Sequence, residues 1–394
     1  MSLTQTASYQ STMRVSFLSY MVQAVINHFA PLLFLTWQRS FGIPLHQITL
    51  LITCNFCIQL LTDLVSPRIV SRLGTRGTMV FAHLCAAAGL IGLTVLPGIL
   101  PFPGLLLSTG ICAVGGGLLE VLVSPIVEAC PTDHKESAMS LLHSFYCWGF
   151  VMVVLGSTAF FTFFGMERWP ILAVIWALFT LCNGWAWTRV PLFPLPGGQQ
   201  GLNLAQLGRR PLFWLLVLLM VCAGASEQAV SQWSSAFAEA GLQVDKAVGD
   251  LCGPMLFALC MGTARLLYGK WGEHLALGKA MAGSAGLCIA SYLLMIFSPW
   301  PALGLAGCGL CGFSVGILWP GTFSIAARAI PQGGTVLFAM LAVGGDLGCT
   351  LGPTVAGMTS TLMQDDLRWG LLAAALFPIG MLVGSLLLRR RRIA

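Results

Sequence analysis

RVPLFPLPGGQQGLNLAQLGRRP, residues 189–211, is the longest polar interruption in the chain, and it falls close to the middle of 394 residues. Its prolines and paired glycines cannot sit inside a regular helix. Outward from it in both directions the sequence is apolar: 57% of the chain is hydrophobic and only 9% is charged. A soluble domain carries about 25% charged residues, so the shortage of charge places this chain in the lipid bilayer. A helix needs roughly 20 apolar residues to cross. Breaks at proline, glycine and charge give six spans before the interruption, near 12–37, 47–67, 77–97, 101–127, 137–164 and 168–189. Six more follow it, near 211–237, 247–268, 275–297, 301–327, 333–359 and 367–388. The predicted fold class is an all-α membrane protein of twelve transmembrane helices. It has an N-terminal half at 1–190, a cytoplasmic linker at 191–210 and a C-terminal half at 211–394.

Residues 1–11 are polar and uncharged, and the first apolar run continues to about Trp37. That run is too long for the core of a signal peptide and reads as an uncleaved helix. With both termini cytoplasmic, the inner side receives Arg14, Arg68, Arg72, Arg76, Lys135, Arg189, Arg209, Arg210, Arg265, Lys270, Lys279, Arg328 and Arg389 to Arg392, which is 16 of the 20 basic residues. The outer side receives Arg39, Arg168, Lys246 and Arg368. The positive-inside rule favours this orientation. Topology thus accounts for the net charge of +6, and no nucleic-acid partner is inferred. Short loops suggest a bacterial inner membrane, and a site within one chain suggests a working monomer.

The fourteen cysteines are scattered through apolar runs and read as small packing residues, not as metal ligands. Forty-five glycines suit helices that approach closely in lipid. No Gly-x-x-x-x-Gly-Lys-Ser/Thr run supports ATP hydrolysis and no His-Glu-x-x-His pair supports zinc hydrolysis. The chain is read as a non-enzyme without cofactor or metal.

Polar groups inside the spans carry the functional reading, because intramembrane acids are costly and serve function by default. Glu120 lies deep in the fourth span, in GGGLLEVLVSPIVEAC (115–130). A carboxyl there can take a proton from one side and release it to the other; the alternative is a structural hydrogen bond. Glu128, eight residues on, is read as a structural pair at the cytoplasmic end, beside Asp133 and Lys135. In the seventh span, GASEQAVSQWSS (224–235) sets Glu227 and Ser231 on one face, and Gln228 and Gln232 on another, each by i, i+4 spacing. Carboxylate, amides and the neighbouring indole of Trp233 suit a polyhydroxylated ligand. Asp346 stands between glycines in the eleventh span. His28 and His143 are the two histidines that are intramembrane and near other polar groups. Asn27 and Tyr146 join them if the first and fifth helices line the cavity, and Trp319 and Phe323 are candidate aromatic walls.

Six helices, a linker and six more resemble the plan of the major facilitator transporters, two pseudo-symmetric halves about a central site. SPRIVSRLGTRG (66–77) is similar to that superfamily's loop between helices two and three, usually Gly-x-x-x-Asp-Arg-x-Gly-Arg-Arg. Arg72, Gly74 and Arg76 match, Ser71 replaces the usual Asp, and Asp63 lies a little earlier. GTARLLYGKWGEHLALGK (262–279) is the corresponding basic stretch of the second half. Asp63, Arg72, Arg76 and Arg265 are therefore expected to form a cytoplasmic gate, or to fix topology. VGGGLLEVLVSP (114–125) resembles helix four of the fucose–proton symporter family, with Gly115, Gly117, Leu119, Glu120 and Pro125 on its pattern. LLHSFYCWG (141–149), ILWPGTFSIA (317–326) and VGGDLGCTLGPTVAG (343–357) resemble its helices five, ten and eleven. That family pairs the helix-four Glu with an Asp in helix one. Here VINHFAP (25–31) offers only Asn27 and His28.

The resemblance implies a secondary transporter that moves a small polar solute, such as a sugar, together with a proton by alternating access. Glu120, His28 and Asp346 are the proton-coupling candidates. Asn27, His143, Tyr146, Glu227, Gln228, Gln232, Trp319 and Phe323 are the substrate-binding candidates. Sodium in place of the proton, a proton-driven exporter of lipophilic compounds or metabolites, and a non-transporting receptor on the same fold are the alternatives.

Overall fold

The computed structural model describes residues 3–132, 135–194, 202–271 and 276–390. Asp133, residues 195–201 of the interruption, and Arg391 and Arg392 lie outside the described residues. Among the described residues the structure is helical, with turns and no strand. Eleven elements are long and apolar enough to cross a membrane, and one of them, Leu45–Ile99, runs for 55 residues. It is two helices merged across Gly74, whose φ of 69° and ψ of 166° lie outside the helical region. Only glycine adopts that conformation without strain. Divided there, the described residues hold the twelve spans expected.

They are α1 (Tyr9–Phe41), α2 and α3 (45–73 and 75–99), α4 (Pro101–Ala129), α5 (Leu141–Phe164), α6 (Met166–Trp187), α7 (Pro211–Gly241), α8 (Lys246–Trp271), α9 (Leu277–Phe297), α10 (Pro301–Ala329), α11 (Val336–Leu362) and α12 (Leu367–Arg390). By contacts the chain divides into two compact units, Met1–Pro196 and Gly197–Ala394.

Prolines set the local breaks. A proline ring clashes with the carbonyl four residues earlier and donates no hydrogen bond to it. Pro31 accordingly ends the first segment of α1 at His28, and the chain passes through a tight turn at Ala30–Leu33 before Phe34–Phe41. Pro320 follows the break at Gly316 and Ile317 in α10, and Pro378 follows the break at Ala375 in α12. Pro254 lies in a widened π turn, Leu251–Met255, inside α8. Each break releases backbone groups from the helical ladder inside the membrane, where irregular backbone is tolerated only when buried in protein or lining a cavity.

In the first unit α3 and α4 approach closely: a Cβ at Gly115 would come within 2.6 Å of the Ala82 carbonyl oxygen. A buried polar knot ties α1, α3 and α6. Asn183 donates to Ser19 (2.9 Å) and lies 2.9 Å from His83 Nε2, and Trp187 donates to Ser19 (2.9 Å). At the end of α6, Arg76 donates to the carbonyls of Trp187 and Val190, both at 2.7 Å. In the second unit α7 and α11 meet backbone to backbone, and a Cβ at Gly348 or Gly352 would overlap the carbonyls of Val221 or Ala225. Ahead of α7, Asn203 and Gln206 form a reciprocal cap on the short helix Leu204–Gly208, and Leu202 N–H donates to the Gln332 carbonyl (3.0 Å).

Candidate functional site

In the first unit the polar side chains of α1, α2, α4 and α5 form one connected chain of hydrogen bonds. Glu120 is half-buried on α4, and its Oε2 accepts from Gln23 Nε2 at 3.0 Å. Gln23 Nε2 also donates to Gln59 Oε1 at 3.3 Å. Gln59 Nε2 donates to Asn27 Oδ1 at 3.0 Å, and Asn27 Nδ2 reaches the Tyr146 hydroxyl at 3.5 Å. That hydroxyl lies 2.9 Å from His28 Nε2. The imidazole of His28 stacks flat on Phe150, centroids 3.4 Å apart at 4°. The path links Glu120 to His28 through two glutamines, an asparagine and a tyrosine.

Local sequence explains the placement. Gln23 and Asn27 are four residues apart and share a face of α1; Pro31 then ends that segment, leaving Asn27 and His28 in its last turn. On α4, Gly116 and Gly117 let α2 come close: a Cβ at Gly116 would meet the Gln59 amide, and one at Gly117 would come within 2.9 Å of Asp63 Oδ1. The glycine run before Glu120 thus makes room for Gln59 and Asp63. Carboxylate oxygens of Asp63 and Glu120 lie within 4.8 Å of each other. Asp63, expected at the cytoplasmic gate, stands beside the coupling candidate. Below Glu120 by one turn, Ser124 is 2.7 Å from the Tyr20 hydroxyl, and the Tyr20 ring lies 5.6 Å from the ring of His143, which is otherwise exposed. Arg72 and Glu128 are exposed.

In the second unit, α7 carries Glu227, Gln228 and Gln232, all buried. Arg265 Nη2 on α8 donates to Glu227 Oε2 at 3.1 Å in an ion pair. Gln228 Nε2 lies 3.5 Å from Glu227 Oε1, and Gln232 Nε2 donates to Gln228 Oε1 at 3.2 Å. Arg265, expected at the cytoplasmic gate, lies in α8 and is tied to α7. Trp233 donates to the Pro353 carbonyl at 2.9 Å and so braces α7 against α11. Asp346 is half-buried on α11; its neighbour Gly345 packs directly against the indole of Trp319. Trp319 and Phe323 have centroids 6.3 Å apart, and Phe323 continues to Phe338 at 5.7 Å.

Sequence reasoning passes over several groups. Gln23 and Gln59 connect the first-unit chain, and their i, i+4 spacing to Asn27 and Asp63 is the available signal. A triad on α7 and α8, with Ser235 and Asp250 buried, is also missed: Lys246 donates to Asp250 Oδ1 (2.8 Å) and to Ser235 (2.7 Å), and Ser235 donates to Asp250 (2.6 Å). Residues Gly312–Gly316 read GFSVG, the letters of a serine-hydrolase elbow. An elbow needs an exposed serine on a strand-to-helix turn. Ser314 is instead fully buried near the end of a helical segment and donates to the Cys311 carbonyl. The described cysteines form no disulfide.

A bundle of twelve membrane-spanning helices in two units, with carboxylates and amides held inside the spans, defines a polytopic membrane carrier. The model of the Major Facilitator Superfamily matches residues 13–353, and the chain belongs to that family. It is an integral membrane transporter of solutes, not an enzyme. No curated protein sequence matches it. Among solved structures it resembles a single-residue variant of the E. coli fucose:proton symporter, FucP, with a TM-score of 0.66 and 18% identity, over 96% of this chain and 99% of that one. FucP in the outward conformation gives 0.63 and 16%, over 95% and 98%. A bacterial homologue of the human lysosomal transporter Spinster, inward-facing and occupied, gives 0.75 and 15%, over 97% of each chain.

Proposed function

We propose that this transporter couples the movement of a small polar solute, a sugar or sugar derivative, to a proton entering the cell. The observation that carries the reading is the surroundings of Glu120: a carboxylate in the bilayer, bonded to a neutral amide and within 4.8 Å of Asp63. Two like charges that close repel strongly where the dielectric is low. One proton shared between them removes the repulsion, and its loss restores it. Asp63 is thereby a partner of Glu120, in the part that helix one plays in the resembling symporter family. The buried amides of Gln228 and Gln232, with Glu227, offer donors and acceptors for hydroxyl groups, and Trp319 offers an aromatic face. Asn27, Tyr146 and His28 offer the same from the first half, and Asp346 is a second acid for the cycle. The chain works as a monomer in a bacterial inner membrane, with both termini and the linker cytoplasmic. The halves 1–190 and 211–394 rock to expose the site alternately, and Arg72 and Arg76 act at the cytoplasmic ends of the helices.

The test is external pH in lightly buffered, de-energised cells expressing the chain, with hexoses, deoxysugars, amino sugars and polyols added singly. One solute alkalinises the medium with the wild type and not with Glu120→Gln. Alkalinisation that survives Glu120→Gln would remove Glu120 from the coupling. Silence with every solute would overturn the symport of sugars and favour export.

A further inference from the structure

One face of α6 is buried and the other is open. The open residues recur at alternating steps of four and three: Ile171, Ile175, Leu178, Cys182 and Trp185, then Arg189 in the turn that follows the helix. That spacing sets them in one stripe, and the open face of a membrane helix meets lipid. From Ile171 to Arg189 the stripe runs roughly 27 Å at 1.5 Å per residue, close to the thickness of a hydrocarbon core. It is apolar until its last two members. There the Arg189 guanidinium stands 4.3 Å from the centre of the Trp185 ring, and Trp185 is 61% exposed. An exposed indole at the end of a span belongs at headgroup level, and the ring holds the cation beside it on the lipid side.

The two ends of α6 differ in charge. Arg168 has Glu167 beside it in the chain, so the first end is locally neutral. At the second end Arg189 makes no ion pair among the described residues. Arg76 of α3 brings a second guanidinium to the carbonyls of Trp187 and Val190, which flank Arg189. Helix α6 packs mainly on α3 and α1, whereas the exposed acid Glu128 lies on α4. We propose that Trp185 and Arg189, with Arg76 behind them, form a site for one anionic phospholipid. Its phosphate meets the guanidinium groups, whose fork of donors matches phosphate oxygens. Its acyl chains lie along Leu178, Ile175 and Ile171. A free phosphate would answer the charge and leave the apolar stripe without use. A zwitterionic lipid would cover the stripe and leave the positive charge uncompensated. An anionic lipid meets both. Thr12 of α1 donates to the Pro191 carbonyl at 2.6 Å, so a lipid held here fastens the point where α6 gives way to the linker.

The experiment is photo-crosslinking on the full-length protein in nanodiscs of phosphatidylcholine, with a trace of phosphatidylglycerol that carries a diazirine in its acyl chain. Cross-linked peptides are mapped by mass spectrometry, so labelling of residues 171–189 is read apart from every other lipid contact. In the wild type, unlabelled phosphatidylglycerol in the bilayer displaces the probe from that stretch, and zwitterionic phosphatidylethanolamine does not. Arg189→Gln lowers the labelling about fivefold, the effect of one basic residue at a charged membrane surface. Arg189→Lys keeps most of it, and Arg168→Gln at the opposite end leaves it unchanged. Equal displacement by phosphatidylethanolamine overturns the proposal, since the stripe is then ordinary lipid contact; this result needs no variant to fold. Displacement by inorganic phosphate as effective as that by phosphatidylglycerol overturns it too, because the site then takes a free anion. So does labelling that survives Arg189→Gln, or that falls as far in Arg168→Gln.

Discussion

Glu120 of the first half and Glu227 of the second are both glutamates inside the bilayer, and the groups bonded to them differ in kind. Glu120 takes a hydrogen bond from the amide of Gln23, which is neutral at every pH. Glu227 takes one from Arg265, a guanidinium that keeps its charge throughout. A fixed cation fixes the charge opposite it, so Glu227 and Arg265 form a constant, orienting pair on α7 and α8. An amide can serve either charge state by turning round, so the surroundings of Glu120 accommodate a change. The same contrast runs through the basic stretches that link the second and third helices of each half. Arg76 of the first half is spent on the carbonyls that end α6; Arg265 of the second lies in α8 and pairs with Glu227 on α7.

The largest effect expected from this contrast is on stability. Arg265→Ala leaves Glu227 buried without its guanidinium, and breaking such a pair costs about 3–5 kcal/mol. The detergent-solubilised protein should melt at a clearly lower temperature. Adding Glu227→Gln to Arg265→Ala should return much of the loss, because the uncompensated charge is gone. A double variant as unstable as the single one would break the comparison: Arg265 would then act through packing, and not through its charge. Arg76→Ala comes next. It removes two charged hydrogen bonds from the carbonyls at the end of α6, worth about 1.5–3 kcal/mol each when buried and less at this partly exposed position. Arg76→Lys should recover only part, since an ammonium cannot fork across two carbonyls. Faster proteolysis near residues 188–194 would report the loss of the tether.

The fold was legible because lipid imposes length and apolarity on every span, and these are properties of composition. The breaks were legible in principle too, since Pro31, Pro320 and Pro378 each stand a few residues past the break they cause. Gly74 is a sharper case. The superfamily's loop resemblance marks it, and the structure gives the reason: a φ of 69° that separates two helices within one 55-residue element. Gly74→Ala should cost about 1–3 kcal/mol from backbone strain alone, because an added Cβ meets nothing within 4 Å. A neutral result in a thermal melt would mean that the break can close or move.

The site was less legible. Glu120 announces itself as a charge in oil, but Gln23 and Gln59 do not. An amide in a membrane helix is unremarked until its partners are known, and those partners come from other helices. Distance along the chain from Arg72 draws Asp63 to the gate. What matters is its distance across space to Gly117, which depends on how closely α2 and α4 approach. Linear spacing likewise puts Arg265 in the eighth span but does not reveal its partner Glu227, 38 residues away. Sequence spacing finds neighbours on one helix; it finds neighbours between helices only where glycine or proline marks the contact.

The smallest expected change in energy is the most informative for the comparison. Glu120→Gln keeps the shape of the side chain and an oxygen for Gln23, so the melting temperature should hardly move, in contrast to Arg265→Ala. Transport should lose its drive instead. One proton per solute lets a gradient of one pH unit, about 1.4 kcal/mol, sustain roughly tenfold accumulation. In proteoliposomes, acid outside should raise wild-type accumulation by about that factor per unit. The variant should show none, while counterflow of labelled against unlabelled solute continues, since that exchange needs no net proton movement. If Glu120→Gln instead destabilises the protein as Arg265→Ala does, with accumulation intact, the roles of the two glutamates are reversed. The constant pair would then lie in the first half, and the proton site should be sought at Glu227.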